Sequence, residues 1–542
     1  MFENRNQGGK TMNPINRRKE MLKNADQKLM WPAIIFVFVV MILSAMFPEK
    51  LNTITGAGSS FITHELGILI DSVAVGCVAV LIWLAFGKYG YVGFGGEDAK
   101  PEFSFASFAF MMFTAGVGAG LVYWAIGEPI YYMLWPPYGV EPLSAEASTW
   151  AITYSTYHWN ITGWAIFLLP AIPYGYYMHN RKKSNLRLSA VCAEVIGKKH
   201  EKSWLGYMIN VFAIFGTLGA FSTSMGLSAE LLGAGLQKVF GIVPTTGVKV
   251  TIVASFIIFY IVVMTLGLKK GISKLADICV YVSVAMIIFI LVVGPTSFII
   301  NYICDSTGMI LDNFFRMSFY TDPVHKTNFP QDWTIFYWAW YFAYLVMMGL
   351  FIAKVSKGRT IRQVILTCVV GSSLGCMLFM GVLGGYTVDG ILTGSLPIIE
   401  WFHEKGLSAA VIEVISSVPG GSILLIIFLI SVYFLITTTM SSATYAVSLM
   451  TTKKLEKDGD PALAIRITWC IAVGAISMVA LLMGGAINTI KSMAIISAPP
   501  MIILYVIMFI CLIRWLKKDY TVSSNIMEHI AVEEMETKEA DK

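Results

Sequence analysis

The chain has 542 residues, 56% of them hydrophobic and 13% charged, with a formal net charge of +5 and a mean hydropathy of +0.68. Its apolar residues come in blocks of about 20, the length that crosses a hydrocarbon core, so a soluble domain is excluded and a polytopic all-α membrane protein is expected. The positive charge is then a question of loop placement rather than a nucleic-acid footprint, and the eight scattered cysteines form no C-x-x-C or Cys/His cluster that would suggest a metal site or a disulfide framework.

Residues 1–29 are polar and basic and run straight into a full-length apolar block, so they read as a cytoplasmic tail rather than a cleavable signal. Two leading spans lie within 30–104, at 30–47 and 66–87. Five follow within 105–300, at 105–133, 148–178, 206–235, 246–267 and 276–300. Residues 301–332 hold no span, but 304–320 mix apolar and polar positions and read as an interfacial helix on the outer side. Five more spans fall within 333–518, at 333–353, 361–386, 420–450, 464–485 and 492–515. Residues 519–542 are acidic and lack a hydrophobic pattern, which predicts a solvated, disordered tail. Lys and Arg sort by loop: the segment 179–205 carries seven and 134–147 carries none, an alternation that puts both termini in the cytoplasm. Two sets of five spans, an odd number, begin on opposite faces of the membrane, as inverted-topology repeats do.

The third span, FASFAFMMFTAGVGAGLVYWAIGEPIYYM, carries Gly116, Gly118 and Gly120 at its centre. Each glycine costs a helix interior about 1 kcal/mol against alanine, which predicts an unwound point. Unwound backbone is tolerated in a membrane only where protein buries it or it lines a cavity. Trp124, Tyr131 and Tyr132 follow, so a ligand site near mid-membrane is one reading. Close helix packing through the G-x-x-x-G of Gly116 and Gly120 is the other. In the eighth span Trp333, Tyr337, Trp340 with Tyr341, Tyr344 and Met348 recur at steps of three and four and share one helical face. Single Trp and Tyr residues usually mark the interfacial belt, but a belt occupies one depth and this stripe runs about 20 Å. Stacked rings facing a cavity suit a quaternary ammonium, attracted to ring faces by about 0.5–2 kcal/mol each.

These motifs resemble the betaine/choline/carnitine transporter family over nearly the whole chain. The resemblance rests on the G-x-G-x-G helix with its following W-x-x-x-E-P (Trp124, Glu128, Pro129), on His158–Trp159, on FYWAW from Phe336 to Trp340, and on S-K-G-R-T from Ser356 to Thr360. The stretch FYTDPVHKTNFPQDWTIFYWAW is similar to the carnitine/γ-butyrobetaine exchangers in particular. The resemblance implies twelve transmembrane helices, a five-plus-five inverted repeat behind two leading helices as in amino-acid/sodium symporters, and a homotrimer in the plasma membrane of a prokaryote. It implies a central box of Trp159, Trp164, Trp340, Tyr341 and Tyr344 with Trp124 and Tyr131, and an outer, transient site at Trp333 and Tyr337. Tyr341 stands where exchangers often carry Trp, and Phe167 where some betaine symporters carry Tyr; both changes keep a ring.

The driving force has two readings. Carbonyls near Thr114 and Val117 and the hydroxyls of Thr438 and Thr439, which match the symporters' sodium ligands, suit a hard cation. Met348 instead matches a methionine that replaces the ion in the exchangers, but the arginine that completes that replacement corresponds to Cys279 here. Back-bonding of the threonines and ordinary packing of Met348 are the structural alternatives. No cofactor is expected beyond a coupling sodium. Free N–H groups near Gly118 to Gly120 would receive a substrate carboxylate, and Gly120 stands where choline-preferring relatives can carry Asp, so a betaine or carnitine zwitterion is favoured over choline. Glu128, beside Pro129, reads as structural. A membrane enzyme would need His, Asp or Cys gathered at one depth, and a channel would build its filter from symmetric copies; neither pattern is present.

Overall fold

The computed structural model describes residues 23–96, 98–116, 119–265, 269–456, 460–482 and 486–540. Among them every extended element is helical, and the sole β pairing is two isolated bridges, Ala25 with Thr452 and Gly93 with Thr360.

Helices α1 (Gln27–Met46), α2 (Pro48–Glu65) and α3 (Gly67–Phe86) open the chain. The polar stretch 48–65, expected as a loop, is helical: Thr53 and Thr55 donate their hydroxyls to the carbonyls of Glu49 and Leu51 one turn back. Its small residues let it lie against the last helix, where a Cβ on Gly58 would stand 3.4 Å from Ile496. The third span is described as helical over α4 (Phe105–Gly116) and α5 (Ala119–Leu134). Of the glycines expected to unwind, Gly116 and Gly120 fall within these helical stretches, while Gly118 lies outside the described residues, as do Val117 and the side chain of Thr114.

The stretch 148–178, expected as one span, is divided into α6 (Ala145–His158), α7 (Ile161–Leu168) and α8 (Ala171–Gly175), followed by a π-turn over Tyr176–Asn180. Asn160 caps α7 by accepting the Ile161 N–H at 2.9 Å, and Pro170 and Pro173 remove donors from the continuation. Short helices α9 (Leu188–Val191) and α10 (Ala193–Ile196) precede the long α11 (Trp204–Phe240), α12 (Thr246–Thr265) and α13 (Lys269–Val293). The expected interfacial helix is present as α14 (Thr296–Ser318), turned 111° from the helix before it. It starts eight residues earlier than hydropathy suggests, because Gly294 and Pro295 break the chain there.

The aromatic span is also bent. A π-turn over Pro330–Thr334 leads into α15 (Ile335–Ala343), and α16 (Leu345–Val355) departs at 59° across Tyr344. Helix α17 (Ile361–Leu392) opens on a capping box in which Thr360 and Gln363 satisfy each other's backbone N–H. Then come α18 (Ile398–Lys405), α19 (Leu407–Ser417), α20 (Gly421–Met450), α21 (Leu463–Leu482) and α22 (Ala486–Ala540). The last differs from the expected disordered tail: its backbone stays helical to Ala540, and its final turns carry Glu533, Glu534, Met535, Glu536 and Lys538, good helix formers.

Six described helices are individually long and apolar enough to cross a bilayer, and eight spans result if each bent pair counts as one. The chain is thus a multi-pass helical membrane protein. At one end Asp26, just before α1, pairs with Arg187 at 2.6 Å, and its N–H bonds to the Thr451 carbonyl at 2.7 Å. This ties the start of the chain to the α20–α21 turn.

Candidate functional site

Two helix breaks and the glycine-rich third span supply the ring-bearing segments. The fourth span is interrupted at Trp159–Asn160, where Asn160 caps the helix that follows, and the eighth at Tyr344. A break frees backbone groups that an unbroken helix would use. The His158 carbonyl, released where α6 ends, accepts the Tyr341 hydroxyl at 3.1 Å. Gly163 makes room for this contact, since a Cβ there would stand 2.8 Å from the Tyr341 ring and 2.9 Å from the His158 oxygen.

The rings form one connected array. Trp333 meets Trp124 at 5.7 Å, Tyr131 at 5.2 Å and Tyr337 at 6.3 Å between centroids. Tyr337 continues to Trp159 at 5.7 Å and Trp340 at 6.1 Å, and Trp340 to Tyr344 at 5.8 Å. Tyr341 packs on Trp159 at 6.2 Å and on Phe167 at 4.7 Å, and Phe167 on Trp164 at 5.5 Å. Tyr131 and Trp124 therefore side with Trp333, whereas Tyr337, expected further out, stands among the central rings. Gly120, Tyr123, Trp124 and Trp340 enclose a small space with Ser224 and Ser228 of α11. Its volume of about 10 Å³ is room for roughly one water, so the rings close on one another in this state. The indole N–H of Trp340 is buried and has no hydrogen-bond partner among the described residues. Tyr123, Ser224 and Ser228 escaped sequence reading. Tyr123 adjoins a conspicuous Trp, and the two serines sit on a helix whose small residues look like packing.

Behind the rings lies a polar network centred on Glu128, which is fully buried. Its Oε1 accepts the Trp159 indole N–H at 2.6 Å and the Tyr337 hydroxyl at 2.5 Å; its Oε2 accepts the Tyr132 hydroxyl at 3.0 Å. Because Tyr132 spends its one hydrogen on Glu128, a neutral His158 must present Nδ1–H to the Tyr132 oxygen at 3.0 Å. His158 Nε2 then accepts from Thr334 at 3.0 Å. Glu128 thus ties α5 to Trp159 and to Tyr337 of α15.

The residues considered for a cation are less gathered. Thr438 and Thr439 are half-buried on α20, and both donate to the Leu435 carbonyl, at 2.8 and 3.0 Å. A hydroxyl that donates to its own helix keeps its lone pairs, so back-bonding and cation coordination are compatible. Met348 is buried on α16 one turn beyond the bend, and Cys279 is buried on α13. Val117 and the Thr114 side chain lie outside the described residues.

A sequence model of the BCCT, betaine/carnitine/choline family transporter, matches residues 28–521. That stretch takes in both leading helices, the glycine-rich third span, the breaks at Asn160 and Tyr344, and the whole ring array. Family membership identifies a secondary transporter of quaternary ammonium compounds and excludes an enzyme. The chain belongs to the betaine/carnitine/choline transporter family.

Proposed function

We propose that the chain takes up a zwitterionic quaternary amine, of the glycine betaine or carnitine class, by alternating access coupled to sodium. In this reading twelve helices cross a prokaryotic plasma membrane with both termini inside, two five-helix repeats alternate around the site, and three copies associate. The trimethylammonium group sits among Trp159, Trp340, Tyr341 and Tyr344, with Trp164 behind them. Trp124 and Tyr131 close the box from the third span beside Trp333, which receives substrate on its way in, and Tyr337 links Trp333 to the central rings. One observation carries the preference for a zwitterion: the buried, unpartnered N–H of Trp340 in the pocket wall. An apolar ring would fill that wall equally well, whereas a buried donor without an acceptor costs about 1–3 kcal/mol. A carboxylate on the substrate removes that penalty and a plain cation does not. Backbone N–H groups at the start of α5 supply further donors for the same oxygens.

Sodium coupling draws on Thr438, Thr439 and the carbonyls near Thr114 and Val117, and on Cys279 standing where an exchanger would place its arginine. Exchange of substrate for product is the second reading, favoured by Met348. Uptake of labelled glycine betaine and carnitine into proteoliposomes separates them. Uptake that needs a sodium gradient and ignores preloading establishes symport; uptake driven by preloaded substrate alone establishes exchange and gives Met348 the ion's place. If neither substrate moves, the zwitterion reading fails.

A further inference from the structure

Asp71 lies one turn into α3, on the buried face it shares with Gly67, Ala74 and Cys77. It is 0% exposed, and neither carboxyl oxygen has a hydrogen-bond partner among the described residues. This sets it apart from Glu128, whose oxygens are both occupied. An ionised carboxylate taken from water without a partner is so costly that such a group carries a proton or meets a cation. Inside a membrane an acid of this kind is rare unless it works in the transport cycle.

Its surroundings distinguish those possibilities. Among the described residues no basic group pairs with it. Helix α7, packed against α3, carries no ionisable side chain. On α15 and α22, Tyr337 and Tyr505 donate elsewhere, to Glu128 and to the Ile166 carbonyl. Of the cations and the histidine on neighbouring helices, Arg316 stacks on Tyr138, Arg362 donates to the Ala85 carbonyl at the far end of α3, Arg514 donates to the Glu194 carbonyl, and His64 bonds to the Ser60 carbonyl. The titratable group that feels the Asp71 charge is the Tyr157 phenol on α6. Ser318 donates to the Phe314 carbonyl at 2.6 Å, so the Tyr157 hydroxyl, 2.8 Å away, must donate to Ser318. That leaves the Tyr157 oxygen with lone pairs free to accept. The Thr162 hydroxyl, also buried, lies beside the same phenol. Polar groups close to Asp71 that carry no charge of their own suit a neutral carboxyl better than an unpaired carboxylate.

We propose that Asp71 is a proton-binding site of the transport cycle, distinct from the substrate and sodium sites. It is neutral in the closed state described here, and it releases its proton to water when α3 parts from α6, α7 and α14. The freed carboxylate then stays hydrated until the helices close and a proton is recaptured. Tyr157 precedes His158 of the Glu128 network, so closure of the ring array and proton capture at Asp71 move together. The inference rests on the transport reading but not on which quaternary amine or which driving ion is used.

The test is uptake by the full-length protein in proteoliposomes across pH 5.5 to 8.5, with substrate binding followed in parallel by tryptophan fluorescence. Wild-type uptake is expected to have a pH-dependent limb. Asp71→Asn should flatten that limb while binding stays within about twofold, and Asp71→Glu should retain the limb at a displaced midpoint. Loss of uptake and binding in wild type would indict the transport reading instead. A pH-independent wild type, or an Asp71→Asn profile that keeps the limb, overturns the proton site. So does a pH-flat wild type in which sodium strengthens binding only while Asp71 is present, because Asp71 is then a metal-ion ligand. Should Asp71→Asn fail to fold, a hydrophobic carbodiimide, which reacts with protonated carboxyls, is applied to wild type during turnover. Peptide mass analysis should find Asp71 modified, less as the pH rises; no modification, or modification independent of pH, overturns the proposal.

Discussion

Trp340 combines two separable properties, a ring and an N–H, and substitution can divide them. Trp340→Ala should abolish substrate binding. Trp340→Phe keeps a face for the ammonium and removes the donor, so a zwitterion should bind about 5–30-fold more weakly while choline, with no carboxylate, is little affected. Titration of both ligands by calorimetry separates these outcomes. Tyr341→Ala should weaken binding by about 1–2 kcal/mol through loss of one cation–π partner. Tyr341→Phe removes only the bond to the His158 carbonyl and should lower stability by about 1 kcal/mol. Glu128→Ala would strand three donors in the protein interior, at about 1–3 kcal/mol each. Its expected signature is a large fall in the melting temperature together with lost binding, whereas Glu128→Gln should recover part of the stability.

At the scale of the element, sequence and structure agree where hydropathy alone decides and part where a polar residue breaks a helix. The ends of α12, α17 and α20 fall within a few residues of expectation, because each is an uninterrupted apolar run closed by polar turns. The fourth span looked continuous because Trp159 and Asn160 interrupt apolarity for only two positions, although Asn160 is a good cap and Pro170 follows. The bend at Tyr344 has no comparable signal, since neither Gly nor Pro stands there; it is imposed by tertiary packing. The ring stripe was legible from its spacing, but its division into inner and outer groups was not, because the bends and the α5 approach decide which rings meet. Gly163→Ala tests this element directly: the added methyl would collide with the Tyr341 ring, so binding and stability should fall together, and Tyr341→Leu should relieve part of the stability loss. The loop before the π-turn carries its own pH dependence. Burial pushes the Asp322 carboxyl upward, but the Thr327 hydroxyl and N–H, the Tyr320 hydroxyl and the His325 N–H outweigh it and hold the group below the usual carboxylate range. A depressed carboxyl stabilises above its unfolded titration point and loses that contribution as pH falls through the folded one. The 320–329 loop should therefore exchange its amide hydrogens faster, relative to the rest of the chain, as solution becomes acidic, and Asp322→Asn should remove that dependence.

For the molecule as a whole, composition announced the membrane and the loop charges announced an orientation, while the ties between distant segments stayed hidden. Arg187 with Asp26 is such a tie: Asp26 is 1% exposed in its side chain, 161 positions from its partner along the chain. Arg187→Ala would leave the buried carboxylate with only the Lys28 N–H and the longer 3.9 Å pair to Lys453, so the expected cost lies below the figure of about 3–5 kcal/mol for a fully broken buried pair, read as a lower melting temperature without a change in which substrates compete. The closed rings bear on affinity itself. A space of about 10 Å³ admits no trimethylammonium group, so the conformation described here contributes nothing to occupancy, and a measured dissociation constant is the intrinsic one divided by the fraction of molecules that stand open. Substitutions that loosen the array without touching the ligand would then tighten apparent binding while slowing turnover. A tight-binding variant of this transporter would be a poor one.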